Sequence, residues 1–334
     1  VAADPILVLA GLVLAHLVAD FLLQSDAIVA DKAASGRRAM RGLGLHGFGV
    51  AGCLVPFVAL FGERGAAALA VITLGHVIVD RAKATATRRA EARALAAAHA
   101  RHAAPSASPV ALGPGWTPVP AALFVIDQVV HGAILVGAWA AFLSGAEPTA
   151  GAADAIDRFL GGWDRAVVHD VALTAVVLAA LVIVNVRAGA LFVAILVHPR
   201  EVVRGTTIPE EPLTGAPVAR ASGWRIRLGP FEAMADPAPA TDAGSTPARP
   251  MAHASPARVG ATIGIIERLL IATFVLTGAQ AAIGFVVAAK TLARFKQLDD
   301  RDFAEYYLLG TLASVAVALF SALLAAAALT SLAR

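Results

Sequence analysis

The stretch "HLVADFLLQ", residues 16–24, closes an apolar run that begins at residue 4 and sets His16 and Asp20 four residues apart among Leu, Val, Ala and Phe. A run of roughly 20 apolar residues is what a helix needs to cross a bilayer. Side chains four apart share one face of such a helix. The run therefore reads as a membrane span that carries an imidazole and a carboxylate side by side. Comparable runs lie at 42–61, 64–83, 119–144, 167–197, 259–290 and 304–332. They predict an all-α, polytopic transmembrane bundle of about seven segments, with six to eight as the range.

Composition agrees. Of 334 residues, 58% are hydrophobic and 15% charged, and mean hydropathy is +0.73. A soluble domain of this size needs a more polar surface. A membrane β-barrel needs alternating strands, and these Ala/Leu-rich blocks do not alternate. The single Cys53 excludes an intrachain disulfide and a cysteine metal cluster. The first run lacks a basic flank and a small-residue cleavage site, so no cleavable signal peptide is expected. The pI near 9.4 comes with a net charge of only +3. The arginines sit beside apolar runs, where they act as topology signals and contacts for anionic headgroups. No nucleic-acid partner is expected.

Four regions follow. Residues 1–144 form an N-terminal four-helix transmembrane bundle, with a cytoplasmic linker at 84–118 that starts basic and Ala-rich and ends in Pro, Gly and Ser. Residues 145–197 are a loop and one span, the loop mildly acidic through Glu147, Asp154, Asp157 and Asp164. Residues 198–258 are a flexible Pro/Ala-rich loop, and 259–334 a C-terminal transmembrane bundle. The loop at 25–41 carries Lys32, Arg37, Arg38 and Arg41, and 81–103 carries Arg81, Lys83, Arg88, Arg89, Arg93 and Arg101. By the positive-inside rule both face the cytoplasm and the N-terminus lies outside. The later spans alternate less cleanly. The run at 259–290 has Gly278 near its middle and reads as a bent helix or re-entrant hairpin, and the run at 167–197 contains Asn185 and Arg187.

His16 and Asp20 have company. "HVIVDRAK" gives His76 and Asp80 at the same spacing, "DQVVH" gives Asp127 and His131 in reverse order, and "GLHGF" adds His46. Antiparallel neighbours bring all seven toward one leaflet. At about 1.5 Å per residue they occupy a slab roughly 5–18 Å below the basic-loop surface. A central Asp costs about 2.5–3.5 kcal/mol on insertion scales, so these residues need partners. Helix-to-helix hydrogen bonds would explain one pair. Seven convergent residues fit a metal better, and imidazole with carboxylate suits zinc first, then manganese or iron. His16, Asp20, His46, His76, Asp80, Asp127 and His131 are the candidate ligands, for two ions or for one ion with carboxylates behind it. Asp20, Asp80 and Asp127 are the candidate catalytic carboxylates. Gln24, Gln128 and Lys83 lie on the same faces and could meet a substrate oxygen, although Lys83 more readily snorkels to the interface.

Downstream, Glu267 and Arg268 open an apolar run, and Lys290, Arg294 and Glu305 follow. Ion pairs at a helix boundary are one reading. Binding of an anionic headgroup or phosphate by Arg268, Lys290 and Arg294 is the other. Gly310, Thr311 and Ser314 suit close helix packing. His99, His102, His169, His198 and His253 read as solvated, without a role.

"HLVADFLLQ", "LHGF", "GHVIVDRAK" and "FVIDQVVH" together resemble a bacterial membrane-protein family catalogued as domain of unknown function 3307. They cover residues 12 to about 135. "GATIGIIERLL", "AIGFVVAAKTLARF" and "EYYLLGTLAS" are similar to the C-terminal half of longer members. The resemblance implies a multi-pass protein of the bacterial inner membrane and makes the linkers at 84–118 and 198–258 insertions. It implies no activity. A looser similarity, to inner-membrane metal-dependent hydrolases with His-rich transmembrane helices, points toward catalysis by analogy.

Three functions follow as expectations. The first is a metal-dependent hydrolase of a membrane amphiphile, a lipid or phosphoester, with metal-bound water as nucleophile. The second is a transporter of divalent cations or protons, which also uses intramembrane Asp and His. The third is a structural subunit whose polar residues specify packing. Membrane lipids are the expected partners, and the sequence leaves the oligomeric state open.

Overall fold

The structure, a computed structural model, describes residues 4–100, 116–197, 225–228, 231–234 and 256–330. Helix α1 (Pro5–Phe21) starts where the Asp4 carboxylate accepts from the backbone N–H groups of Ile6 and Leu7, both at 2.8 Å. After a bend of 80°, α2 (Asp26–Ala33) follows from the Ser25 cap. Next come α3 (Gly36–Phe61), α4 (Glu63–Ala100) and α5 (Val119–Ala138), the last running into a π-turn at Trp139–Leu143. Helix α6 (Ala150–Leu160) is short. Helix α7 (Arg165–Ile183) continues through a second π-turn, Val184–Ala188, into α8 (Gly189–Val197). Helices α9 (Pro256–Leu276), α10 (Ala281–Ala293) and α11 (Arg301–Thr330) complete the bundle.

Five of these elements are long and apolar enough to cross a membrane: Gly36–Phe61, Glu63–Ala94, Val119–Leu143, Arg165–Val197 and Phe303–Thr330. A sixth is the bent pair α1 and α2. The protein is an all-α, multi-pass membrane bundle. Large apolar side chains such as Phe48, Leu74, Val129 and Phe320 point outward, each more than 60% exposed, as lipid-facing positions do.

Several expected boundaries move. The basic segment 25–41 is not a loop, because Ser25 caps α2 and α3 begins at Gly36. The acidic loop contains α6, started by the Thr149 side chain, which accepts from Ala152 N. The run at 259–290 is broken at Gly278, whose φ of 75° no helix accommodates, into α9 and α10. The run at 167–197 is one long helix with a π-turn at Asn185 and Arg187. Most of the proposed flexible loop at 198–258, and residues 101–115 of the linker, lie outside the described residues. Within 198–258 a short hairpin is described, Arg225–Leu228 (β1) paired antiparallel with Phe231–Met234 (β2).

Three apolar clusters hold the bundle. One, with Leu12, Val50, Leu54, Ile72, Leu135 and Leu143, fills the space between α1, α3, α4 and α5. A second, with Leu173, Val177, Ala272, Val275 and Ala322, joins α7, α9 and α11. The third contains Leu17, Phe21, Ala121, Phe124, Ile183 and Ile195, and it fastens the first helices to α7 and α8.

The tightest turn is the α3–α4 hairpin. A Cβ built at Gly65 would lie 2.1 Å from the carbonyl oxygen of Phe57, so the two backbones touch only because residue 65 has no side chain. Gly65→Ala is expected to force them apart and to destabilise the bundle by about 1–3 kcal/mol, the usual range for overpacking. Thermal unfolding of the detergent-purified variant checks this. An unchanged midpoint would show that the hairpin tolerates the shift.

Candidate metal centre

Helices α1 to α5 bring the seven His and Asp residues together inside the apolar bundle. His16 and Asp20 come from the last turns of α1, His46 from α3, His76 and Asp80 from α4, and Asp127 and His131 from α5. None of their side chains is more than 8% exposed. The approach of α3 to α4 depends on Gly47, where a Cβ would stand 2.8 Å from Val77 Cγ2. This close crossing seats His46 directly against His76.

The centre of the cluster is a triangle of three atoms. His46 Nε2 lies 2.9 Å from His76 Nε2, and Asp20 Oδ1 lies 3.2 Å from the first and 3.1 Å from the second. Asp80 Oδ2 stands beside it, 3.5 Å from His46 Nε2 and 3.8 Å from His76 Nε2. His16 Nε2 is 3.8 Å from Asp20 Oδ2 and 3.4 Å from Gln128 Oε1. His131 packs against His76 with ring centroids 4.1 Å apart and against His16 at 5.1 Å. Three overlapping groups, His16/Asp20/His131, Asp20/His46/His76 and His76/Asp80/His131, each bring three ligand atoms within 4.8 Å of one another.

Hydrogen bonds alone satisfy the triangle only in part. A neutral imidazole nitrogen either carries one hydrogen or offers one lone pair. If both Nε2 atoms carry hydrogens toward Asp20, the two N–H groups face each other across 2.9 Å. If one does not, it accepts from the other at 2.9 Å, and Asp20 Oδ1 is left without a full donor of its own in the triangle. A cation in the middle would engage all three atoms at once. Four tetrahedral ligands at about 2.0–2.1 Å from a zinc ion stand roughly 3.3 Å apart, close to the edges seen here.

Two lysines complete the site. Lys83 Nζ donates to Asp127 Oδ2 at 2.7 Å and lies over the Phe124 ring. It therefore turns inward and does not snorkel outward. Lys32 was expected to serve only as a topology signal. Instead α2 folds back across the cluster, and Lys32 Nζ donates to Asp80 Oδ2 and, at 3.2 Å, to Gln24 Oε1. Arg88 of α4 holds the end of α2 by donating to the carbonyls of Ala33 and Ala34. The Ser25 cap marks a helix start in this segment but does not reveal where Lys32 points. Gln128 Nε2 donates to Asp127 Oδ2 at 3.0 Å, so Gln24, Gln128 and Lys83 all join the cluster.

The downstream candidates do not form one binding patch. Lys290 donates to Glu267 at 2.6 Å, and Arg294 donates to Gln297. Arg268 is buried, with Nε donating to the carbonyl of Asn185 at 2.6 Å and Nη1 to Ser314 Oγ at 3.1 Å. His169 is not without partners: it meets Asp4 at 3.3 Å and Asp170 at 3.1 Å near the start of α1. The side chain of His99, and His102, His198 and His253 entirely, lie outside the described residues.

No curated protein and no solved structure matches the chain. Residues 8–150, the segment that supplies all seven His and Asp side chains, match the family model described as "Protein of unknown function (DUF3307)".

Proposed function

We propose that the cluster holds a divalent transition metal, zinc before manganese or iron, and that the protein is a metal-dependent hydrolase of a membrane amphiphile. The observation that carries this reading is the Asp20–His46–His76 triangle, whose 2.9–3.2 Å edges suit ligands around one ion. An ion there would supply Lewis acidity toward an ester or phosphoryl oxygen and lower the pKa of a water. Asp20 is committed to the triangle. Asp80, beside it and held by Lys32, is placed to complete the ligand set or to take a proton as general base. Gln24, Lys32 and Lys83 offer donors to a head group approaching from the α2 side. In this reading the basic segments at 25–41 and 81–103 face the cytoplasm of a bacterial inner membrane, with the N-terminus outside. Arg268, Lys290 and Arg294 do not enter the mechanism.

Transport of divalent cations or protons is the second reading. The Lys32–Asp80 and Lys83–Asp127 pairs favour it, since a cation or proton can displace an ammonium from a carboxylate. Against it, the residues beneath His16 are Ala15, Val50, Leu54, Ile72 and Leu135. This apolar layer closes the path toward the opposite face.

Two measurements test the proposal. Elemental analysis of the purified wild type should find a stoichiometric divalent metal, and the His76→Ala/Asp80→Ala variant should lose it. Equal, near-zero metal in both folded proteins would leave hydrogen bonding as the role of the cluster. Next, wild type and Asp80→Asn are assayed in parallel for release from lipid or phosphoester substrates and for metal flux in proteoliposomes. Hydrolysis by the wild type that falls by a factor of about 10²–10⁴ in Asp80→Asn is expected for loss of a general base. Flux that disappears in the variant, with no hydrolysis by either protein, would instead establish the transporter.

A further inference from the structure

The seven residues offer more donors than one ion uses, and their atoms sort into two sets that meet at Asp20. Its Oδ1 faces His46 and His76, while its Oδ2 faces His16 at 3.8 Å. His16, Asp20 and His131 form a group of their own, with one ligand atom from each within 4.8 Å of the others. The group His76/Asp80/His131 links the two, sharing His76 with the first and His131 with the second, whereas His16 belongs to the second set alone.

His131 makes this second set more than a geometric coincidence. It is 2% exposed, yet neither ring nitrogen has a hydrogen-bond partner. Leaving a buried donor or acceptor unmet costs about 1–3 kcal/mol, and a neutral imidazole presents one of each. The Asp127 oxygen nearest to it, Oδ1 at 3.6 Å from Nδ1, is also unmet. Lys83 and Gln128 hold the other oxygen of Asp127. A carboxylate behind Nδ1 is the arrangement that orients a metal-binding histidine and leaves Nε2 as the ligand.

We infer that the cluster binds two divalent ions bridged by the Asp20 carboxylate, the second held by Asp20 Oδ2, His16 Nε2 and His131 Nε2. This rests on the first ion proposed above and adds a site to it. Gln128 Oε1, 3.4 Å from His16 Nε2, supplies a neutral oxygen at the same position. Asp127 acts as a positioning residue, through His131.

The test counts metal. Full-length protein in detergent is equilibrated with Zn²⁺, freed of excess ion, and analysed beside the variant His16→Gln/His131→Gln, with gel filtration to confirm folding. Two ions per chain in the wild type and one in the variant are expected. One ion in each would overturn the second site and leave the first reading standing. No ion in the wild type would overturn both. Two ions in each would place the second one elsewhere and overturn the inference. If the variant aggregates, the wild type loaded with Mn²⁺ decides by electron paramagnetic resonance. An exchange-coupled spectrum at two equivalents supports the bridge, and an uncoupled six-line spectrum overturns it.

Discussion

A carboxylate placed in hydrocarbon is unstable unless a cation or several donors meet it, and the first five helices are arranged around meeting three of them. Asp20 takes two imidazoles at 3.1–3.2 Å, Asp80 takes Lys32, and Asp127 takes Lys83 and Gln128. Two ammonium groups do not balance three carboxylates. The remaining negative charge sits at Asp20, among the imidazoles, which is where a metal ion is proposed. Burial of these groups is thus tolerated because each helix supplies what its neighbour lacks. Removing one partner would leave an uncompensated charge, which is far more damaging than losing a surface ion pair.

The surroundings of the cluster are asymmetric. On one side lies the apolar layer of Leu12, Val50, Leu54, Ile72 and Leu135. On the other lies α2, an eight-residue helix set at 80° to α1 and fixed by Lys32, Arg88 and the Arg38–Asp31 pair. A polar site covered by one short helix on one side and by an apolar layer on the other suits chemistry on a molecule that enters and leaves by the same side. Transport requires the layer to part. That difference separates the two functional readings, since both use the same seven residues.

The expectation of a helical membrane bundle was legible because long apolar runs leave little choice once water is absent. The i, i+4 pairs were legible for the same reason: helix periodicity alone puts His16 with Asp20, His76 with Asp80 and Asp127 with His131 on shared faces. The role of Lys32 was hidden, because charge counting treats a basic segment as surface and cannot show that α2 packs across α3 and α4. Lys83 was misjudged similarly, as snorkelling to water and pairing with Asp127 demand the same flexible stem. The break at Gly278 was half legible, since a central glycine marks a weak point without saying whether the chain bends or turns. Arg268 looked like a headgroup ligand beside Lys290 and Arg294. Helix phase sends it inward instead, to Asn185 and Ser314.

That inward turn ties the second half of the chain to the first. A π-turn shifts the usual helical hydrogen-bond pattern, and the one at Val184–Ala188 presents the Asn185 carbonyl to Arg268 of α9. Two residues on, Arg187 donates to the carbonyl of Phe21 at 3.1 Å. Phe21 ends α1 and follows Asp20 directly. A cation on the final carbonyls of a helix is favourable on electrostatic grounds, and here it also fixes where the helix stops. Ile183 and Ile195, on either side of the π-turn, join the apolar cluster of Leu17 and Phe21. Among the described residues, the helices beyond residue 150 contribute no side chain to the His/Asp centre, but through Arg187 and this packing they set the position of the carboxylate at its middle.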